Sequence, residues 1–250
     1  MNTEIEMDIQ QILQHPDSKR DYNKKLFKEV APRYDFVTQA LSFGRDRAWK
    51  RSLIEALPDD PNPACLDIAC GTGDLSFLLH ERFPNGRITG IDLTPDMLEI
   101  ARQRLSSESI EFHQSDMCDL PFSEASLDIV TGGYALRNAP NLGTVLKEVH
   151  RVLRADGVAA FLEFSKPSNR IGQIFEDAAL SVWGGFWGLV LHRDPTVYGY
   201  IAKSLREYPD RNHFRRIAEE SGFRLVRSMR LFLGFLEITV LIKTTENTHA

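Results

Sequence analysis

Short apolar runs, each of four to seven residues, recur from Ala64 to Phe164 and are mostly separated by segments with helical apolar spacing; no other feature constrains the fold as much. Ala64–Ala69, Arg87–Asp92, Ile110–His113, Leu127–Gly132 and Val158–Phe164 read as strands. Asp74–Phe83, Pro95–Leu105 and Leu142–Leu153 read as helices, the second with Pro95 at a favourable first helical position. Strands alternating with helices of this length imply βαβ units, hence a parallel sheet covered on both faces. Ahead of this core, Asp21–Val30 and Asp46–Leu57 carry helical spacing; after Lys166 the pattern becomes helical over Ile171–Leu191, Val197–Arg206 and Asn212–Ser221. Phe223–Leu231 and Phe235–Lys243 then read as an antiparallel hairpin around Gly234. The expected organisation is one α/β domain over 1–250: a helical cover (1–57), a ligand-binding core (62–166), a helical lid (167–222) and the hairpin (223–243).

Within that core, Asp67-Ile68-Ala69-Cys70-Gly71-Thr72-Gly73-Asp74 joins the first strand to a helix. Glycines there let the backbone approach a ligand closely. Twenty-one residues after Gly71, the second strand ends in Asp92, where a carboxylate can accept hydrogen bonds from ribose hydroxyls. Phe77 stands where a diphosphate-binding turn wants a third glycine, so the pattern favours an adenosine ligand without a diphosphate. Asp67 is placed to meet an ammonium group, and Asp116-Met117, after the third strand, to flank an adenine ring. Each acidic residue is alternatively a turn or cap residue. Together they fit S-adenosylmethionine.

Charge excludes other classes. Thirty Lys and Arg against thirty-five Asp and Glu give −5, with no global positive field for nucleic acid. Locally, Ala202–Arg230 carries eight basic residues against four acidic ones, either a solvated face or an approach to an anionic membrane. The apolar run Ala178–Leu191 is interrupted by glycines and too short to span a bilayer, and the polar first thirty residues hold no secretory h-region. Cys65, Cys70 and Cys118, and the scattered histidines, lack metal-ligand spacing, so no metal site is expected. The expected location is the cytoplasm, with peripheral contact at the inner membrane surface and a homo-oligomer left open.

Longer stretches resemble the UbiE/COQ5 family of S-adenosylmethionine-dependent quinone C-methyltransferases, of class I, Rossmann-like fold. Tyr34-Asp35 followed by Leu41-Ser42-Phe43-Gly44 and Trp49 is similar to that family's first signature. Gly133-Tyr134-Ala135-Leu136-Arg137-Asn138, Arg151-Val152-Leu153 with Glu163-Phe164-Ser165-Lys166-Pro167, and Tyr198-Gly199-Tyr200 with Ser204 and Pro209 resemble later blocks. The similarity runs from Phe27 to Lys243. Departures are Val37-Thr38 for the usual Met-Asn, Asp46 for His, Arg154-Ala155-Asp156-Gly157 for Lys-Pro-Gly-Gly, Gly133 for a cofactor-proximal Ser, and Thr239 for a frequent His.

The resemblance implies a cofactor set of Asp67, Gly71, Thr72, Gly73, Asp92, Leu93, Asp116, Met117 and Gly133. It implies that Arg137, Asn138 and Asp74 help activate a quinol hydroxyl. Because a guanidinium is a poor base, Arg137 is expected to stabilise the phenolate, and Asn138 to orient water or substrate. Tyr34 and Trp49 either line the substrate cavity or pack in the core. Phe175, Trp183, Phe186 and Trp187 either pack within the lid or meet a prenyl tail. The implied reaction methylates a ring carbon of a prenylated quinol in menaquinone or ubiquinone biosynthesis; a soluble phenolic acceptor and a non-catalytic cofactor-binding module are the alternatives.

Overall fold

The structure, a computed structural model, describes residues 15–105, 109–192 and 199–244. Helices α1 (Pro16–Val30), α2 (Tyr34–Leu41) and α3 (Asp46–Glu55) precede β1 (Ala64–Ile68) and α4 (Asp74–Arg82). Then come β2 (Arg87–Asp92), α5 (Pro95–Gln103), β3 (Ile110–Gln114), β4 (Leu127–Gly133), α6 (Leu142–Val152) and β5 (Leu153–Phe164). The chain continues through α7 (Arg170–His192), α8 (Gly199–Glu207), α9 (Arg211–Glu220), β6 (Phe223–Leu231) and β7 (Leu236–Lys243).

The strands form a seven-stranded sheet in the order β3-β2-β1-β4-β5-β7-β6. β1 through β5 pair in parallel, while β7 is antiparallel to both β5 and β6. This is the mostly parallel, doubly wound sheet with an antiparallel hairpin that the alternation predicts. Chain order reverses between β1 and β4, so the carboxyl ends of β1, β2 and β4 open a crevice there, the usual ligand position in such sheets.

Both faces of β1 are buried, which is why it reads as a continuous apolar run. Leu66 and Ile68 pack with Val145, Leu146 and Val149 of α6; Cys65 packs on the opposite face with Leu53 of α3 and Leu75 and Leu79 of α4. A fully buried leucine of this kind contributes roughly 1.5–3 kcal/mol.

Three boundaries differ from the sequence reading. The first helix begins at Pro16, and Tyr34–Leu41, unassigned from the sequence, is helical. β5 starts at Leu153, where α6 was expected to end. The stretch Asn212–Ser221, grouped with the lid, packs on the sheet instead: Phe214 and Ala218 of α9 sit in the same core as Val149 and Phe223. Among the described residues of that region, α7 and α8 reach the cavity, through Leu180, Trp183, Tyr200 and Ile201. Val197 and Tyr198 lie outside the described residues.

Candidate active site

A cavity of about 470 Å³ lies over the carboxyl ends of β1, β2 and β4, within the size range of small-molecule sites. Gly71, Asp92, Leu93, Asp116, Met117 and Gly133 line it from the core, and α1, α2, α7 and α8 close over it. Tyr34 and Trp49 both line this cavity. Among the described residues ahead of β1, Arg20, Asn23, Tyr34, Val37 and Trp49 face the cavity, so α1, α2 and α3 contribute to its cover.

The glycine loop has a local cause. Gly73 sits at φ +88°, and a Cβ there would fall 2.9 Å from the Phe112 ring and 3.0 Å from Phe77, so the turn into α4 needs glycine on both counts. Asp92 ties the loop to the next strand. Its Oδ2 accepts from Gly71 N–H at 2.9 Å and its Oδ1 from Thr94 N–H at 2.7 Å. The carboxylate also lines the cavity, which puts it within reach of a ligand hydroxyl. Burial pushes the Asp92 carboxyl above its ordinary range, opposed by these backbone donors.

Thr72 turns away from the main cavity, its hydroxyl donating to Asp35 of α2 at 2.7 Å. Arg104, at the end of α5, donates to the Thr72 carbonyl at 2.8 Å and lies 3.5 Å from Asp35, so Asp35 straps the glycine loop and α5 to the cover. Asp116 does both things the sequence left open: it lines the cavity, and it accepts from Cys118 N–H at 2.8 Å as a turn residue. Its other oxygen lies 2.7 Å from Arg20 Nε on α1.

Behind the glycine loop is a narrow side chamber of about 20 Å³, lined by Lys50, Asp67, Cys70, Thr72 and Asp74 among others. Tyr34, Ala69, Gly71, Gly133 and Tyr134 face both spaces and form the wall between them. Asp67 is 1% exposed, accepting from Ser76 Oγ at 2.7 Å and from Thr131 Oγ1 at 3.3 Å. Burial outweighs those donors and raises its pKa to about 7.

Asp74 is held differently. Lys50 Nζ lies 2.8 Å from one of its oxygens and Arg104 2.7 Å from the other. Burial pushes its carboxyl up, but the two cations outweigh that and hold it below the ordinary carboxylate range. The structure puts Asp74 on the side chamber and Arg137 and Asn138 on the main cavity, on either side of the shared wall.

Arg137 and Asn138 end a short 3-10 turn, Leu136–Asn138, after β4. Arg137 is buried at 5% exposure. Its guanidinium lies 3.5 Å from Glu163, donates to Ser204, and stands over the rings of Phe164 (5.2 Å) and Tyr200 (5.8 Å). Asn138 uses its own amide within the protein: Nδ2 donates to the Tyr134 carbonyl at 2.9 Å, and Oδ1 accepts from the Tyr200 hydroxyl at 2.9 Å. Helix α1 clamps this turn. Lys19 Nζ donates to the carbonyls of Arg137 (3.0 Å) and Ala139 (2.7 Å), and Asn23 Nδ2 donates to that of Asn138 (2.8 Å). Burial, then Arg137, lowers the Lys19 pKa to about 8.

The sequence reading missed Lys19, Asn23, Lys50 and Tyr134 as site residues. Lys19 and Asn23 carry a faint signal, since they are polar positions on the inward face of α1. Tyr134 carries none, because its partner Asp46 is remote in sequence, and Lys50 shows only its helical i,i+4 pairing with Asp46, not its contact with Asp74.

Comparison with known proteins agrees with this geometry. Residues 15–243 match the ubiE/COQ5 methyltransferase family. Demethylmenaquinone methyltransferase of Lactobacillus johnsonii is 32% identical over 87% of this chain and 91% of its own length. The ubiquinone/menaquinone biosynthesis C-methyltransferase UbiE of Geotalea daltonii is 32% identical over 86% and 93%. A 2-phytyl-1,4-naphtoquinone methyltransferase of a Nostoc species is 31% identical over 88% and 98%. Among solved structures, the Haloferax volcanii putative methyltransferase in complex with the Trm112 activator superposes with a TM-score of 0.64 at 15% identity, covering 88% of this chain and 98% of that one. A methyltransferase of Thermotoga maritima gives 0.63 at 15% identity, covering 88% and 99%. These structures share the class I methyltransferase fold, and by sequence the chain belongs to the ubiE/COQ5 methyltransferase family.

Proposed function

We propose that this methyltransferase moves the methyl group of S-adenosylmethionine to a ring carbon of a prenylated hydroquinone. The observation that carries this reading is the single continuous cavity, in which a ribose-type carboxylate, Asp92, opens onto an apolar space bounded by Trp49, Phe164, Leu180, Trp183 and Phe235. The three relatives named above are quinone-pathway methyltransferases by name.

The residues fit the cofactor. Asp92 offers acceptors to a ribose diol, and Leu93 and Met117 offer apolar flanks to a base, with Asp116 at its edge. Gly71 and Gly133 contribute no side chain to the wall between the spaces, which Tyr34, Ala69 and Tyr134 otherwise fill. Asp67, a buried carboxylate without a cation in hydrogen-bond contact, suits the positively charged methionine end. When bound, the cofactor supplies an electrophilic methyl group on sulfur. The protein's part is to hold the acceptor carbon in line, to exclude water beneath α1, α7 and α8, and to stabilise negative charge on the ring oxygen near Arg137. Positioning of this kind can lower a barrier by roughly 7–11 kcal/mol in favourable cases.

The assignment of Asp67 has a pH consequence. With a pKa of about 7 in the cofactor-free protein, this carboxyl is protonated below that pH and must lose its proton to receive a cation. Affinity for S-adenosylmethionine is therefore expected to rise several-fold from pH 6 to pH 8, and Asp67→Asn is expected to abolish that slope relative to wild type. Calorimetric titration at the two pH values checks this; an unchanged slope in the variant removes Asp67 from the cofactor's cation site.

A lipid acceptor also needs a route. Helix α7 turns Leu180 and Trp183 to the cavity while Ile171, Ile174, Phe175, Val182, Phe186 and Leu189 are exposed. Phe43 and Leu233 extend the apolar surface beside the cavity, with Leu233 at 99% exposure. No helix among the described residues is long and apolar enough to cross a membrane. Peripheral contact through this face is the reading that accounts for so much exposed apolar surface in one place. Of the eight basic residues in Ala202–Arg230, Arg206 is paired with Asp177 and Arg211 with Glu237, while Arg215, Arg216, Arg224, Arg227 and Arg230 are exposed. Sedimentation with anionic vesicles is expected to retain the protein at low salt, and Phe175→Ser with Leu233→Ser to release it; equal retention of the variant would remove this face from the membrane.

The function itself is tested by incubating the enzyme and labelled cofactor with demethylmenaquinol, benzoquinols and soluble phenols under reducing conditions. Label is expected in the prenylated quinols first. Preferential labelling of a soluble phenol would replace this reading with the alternative acceptor class.

A further inference from the structure

Tyr134 is held in a conformation that packing alone does not explain. Its backbone lies in the left-handed region at φ +57°, which costs a bulky side chain on the order of 1–2 kcal/mol. The position is over-determined: Tyr134 N–H donates to the Leu162 carbonyl at 2.7 Å, and the Tyr134 carbonyl accepts from Asn138 Nδ2. Strain kept in this way at a cavity wall points to a side chain that must be aimed.

What it is aimed at is a buried carboxylate. The Tyr134 hydroxyl donates to Asp46 Oδ1 at 2.9 Å, and Asp46 Oδ2 lies 2.6 Å from Lys50 Nζ. Asp46 is 4% exposed and lines neither space, so its link to the cavity runs through Tyr134. Lys50 continues the chain to Asp74 at 2.8 Å. A buried carboxylate and ammonium behind a phenol are costly compared with apolar residues of the same volume. Tyr134 itself lines the main cavity together with Gly133 and Arg137, on the side where the proposed acceptor ring would lie.

We propose that Tyr134 and Asp46 form a proton path out of the acceptor, in which the acceptor's ring hydroxyl passes its proton to the Tyr134 oxygen while the Tyr134 proton passes to the Asp46 carboxylate. The inference rests on the phenolic acceptor proposed above. The acceptor O–H bond breaks and its electron pair stays on the ring oxygen as phenolate; the Tyr134 O–H bond breaks and is replaced by one to the acceptor's proton. Asp46 ends as the carboxylic acid, and no oxidant or reductant enters. Burial drives the Tyr134 hydroxyl far above the usual phenol range, and Asp46, Tyr34 and Glu163 all face it, so it relays protons without itself holding negative charge. Lys50 is the cation beside Asp46, and Asp74 and Arg104 lie beyond it. In this arrangement Asn138 is a positioning residue that fixes the backbone from which Tyr134 projects, and Asp74 reaches the path only through Lys50.

The test uses naphthol, whose ionised form absorbs at longer wavelength, bound to the full-length protein saturated with S-adenosylhomocysteine. Bound naphthol is expected to ionise about tenfold more readily in wild type than in Tyr134→Phe or Asp46→Asn, a shift of about one pH unit. Both variants are expected to keep cofactor-product affinity within about threefold of wild type, since neither residue is assigned to that ligand. Identical ionisation in wild type and Tyr134→Phe would overturn the path while leaving the acceptor reading intact. If Tyr134→Phe does not fold, Asp46→Asn decides by the same comparison. Failure of wild type to bind naphthol while binding the cofactor product would overturn the phenolic acceptor and this path with it.

Discussion

Asp92→Asn is expected to weaken binding of S-adenosylhomocysteine about a hundredfold, or about 2.7 kcal/mol. The magnitude follows from replacing a charged acceptor, whose hydrogen bonds contribute roughly 1.5–3 kcal/mol each, by a neutral amide. The structure adds a second cause. Asp92 also receives Gly71 N–H and Thr94 N–H, so an Asn side chain sets its own NH₂ against one of those donors and loosens the loop that faces the ligand. The variant is therefore expected to melt lower as well, and calorimetry is to be done on protein whose folding has been checked by circular dichroism. Affinity within threefold of wild type would make Asp92 a loop clamp and nothing more.

The second large effect is kinetic. Removing the Arg137 guanidinium is expected to slow methyl transfer about a hundredfold with cofactor affinity unchanged, the scale of deleting one preorganised electrostatic donor. Arg137→Ala alone is a poor experiment, because it strands Glu163 in the interior at a cost of about 3–5 kcal/mol. Glu163 is buried, and it also accepts from Arg137 N–H at 3.0 Å and Phe164 N–H at 2.9 Å. The informative comparison is Glu163→Gln against Glu163→Gln with Arg137→Gln, in single turnover on the best quinol. Equal rates would end the role of Arg137 at the developing phenolate. A parallel loss of cofactor affinity would move the residue to the cofactor site.

The core of the fold was legible because its signals are local. Strand runs such as Ala64–Ile68 and Arg87–Asp92 are short and largely buried on both faces, and the loop from Asp67 to Asp74 follows from glycines at fixed places. Asp92 was legible for the same reason, as the last residue of β2. Helix α2 was not, since its eight residues make only about two turns and leave only Val37 buried. Cavity contacts by Tyr34 and Trp49 followed from the cover lying over the crevice, whereas the sequence does not show that Asp74 faces the side chamber while Arg137 and Asn138 face the main cavity. Spacing cannot show that Lys50 captures Asp74 from 24 residues away, or that Tyr134 reaches Asp46 from 88 residues away. Such pairs are products of the tertiary fold, and they determine which carboxylate is locked by cations and which is joined to the cavity wall.

The central claim concerns where the methyl group goes. Demethylmenaquinol kept reduced, wild-type enzyme and cofactor carrying a ¹³C-labelled methyl group should give a product whose labelled carbon is bonded to a ring carbon by NMR, with both ring hydroxyls still free to be acetylated. Label on a ring oxygen, leaving one free hydroxyl, or no transfer to this quinol while a soluble phenol is methylated, would contradict the account.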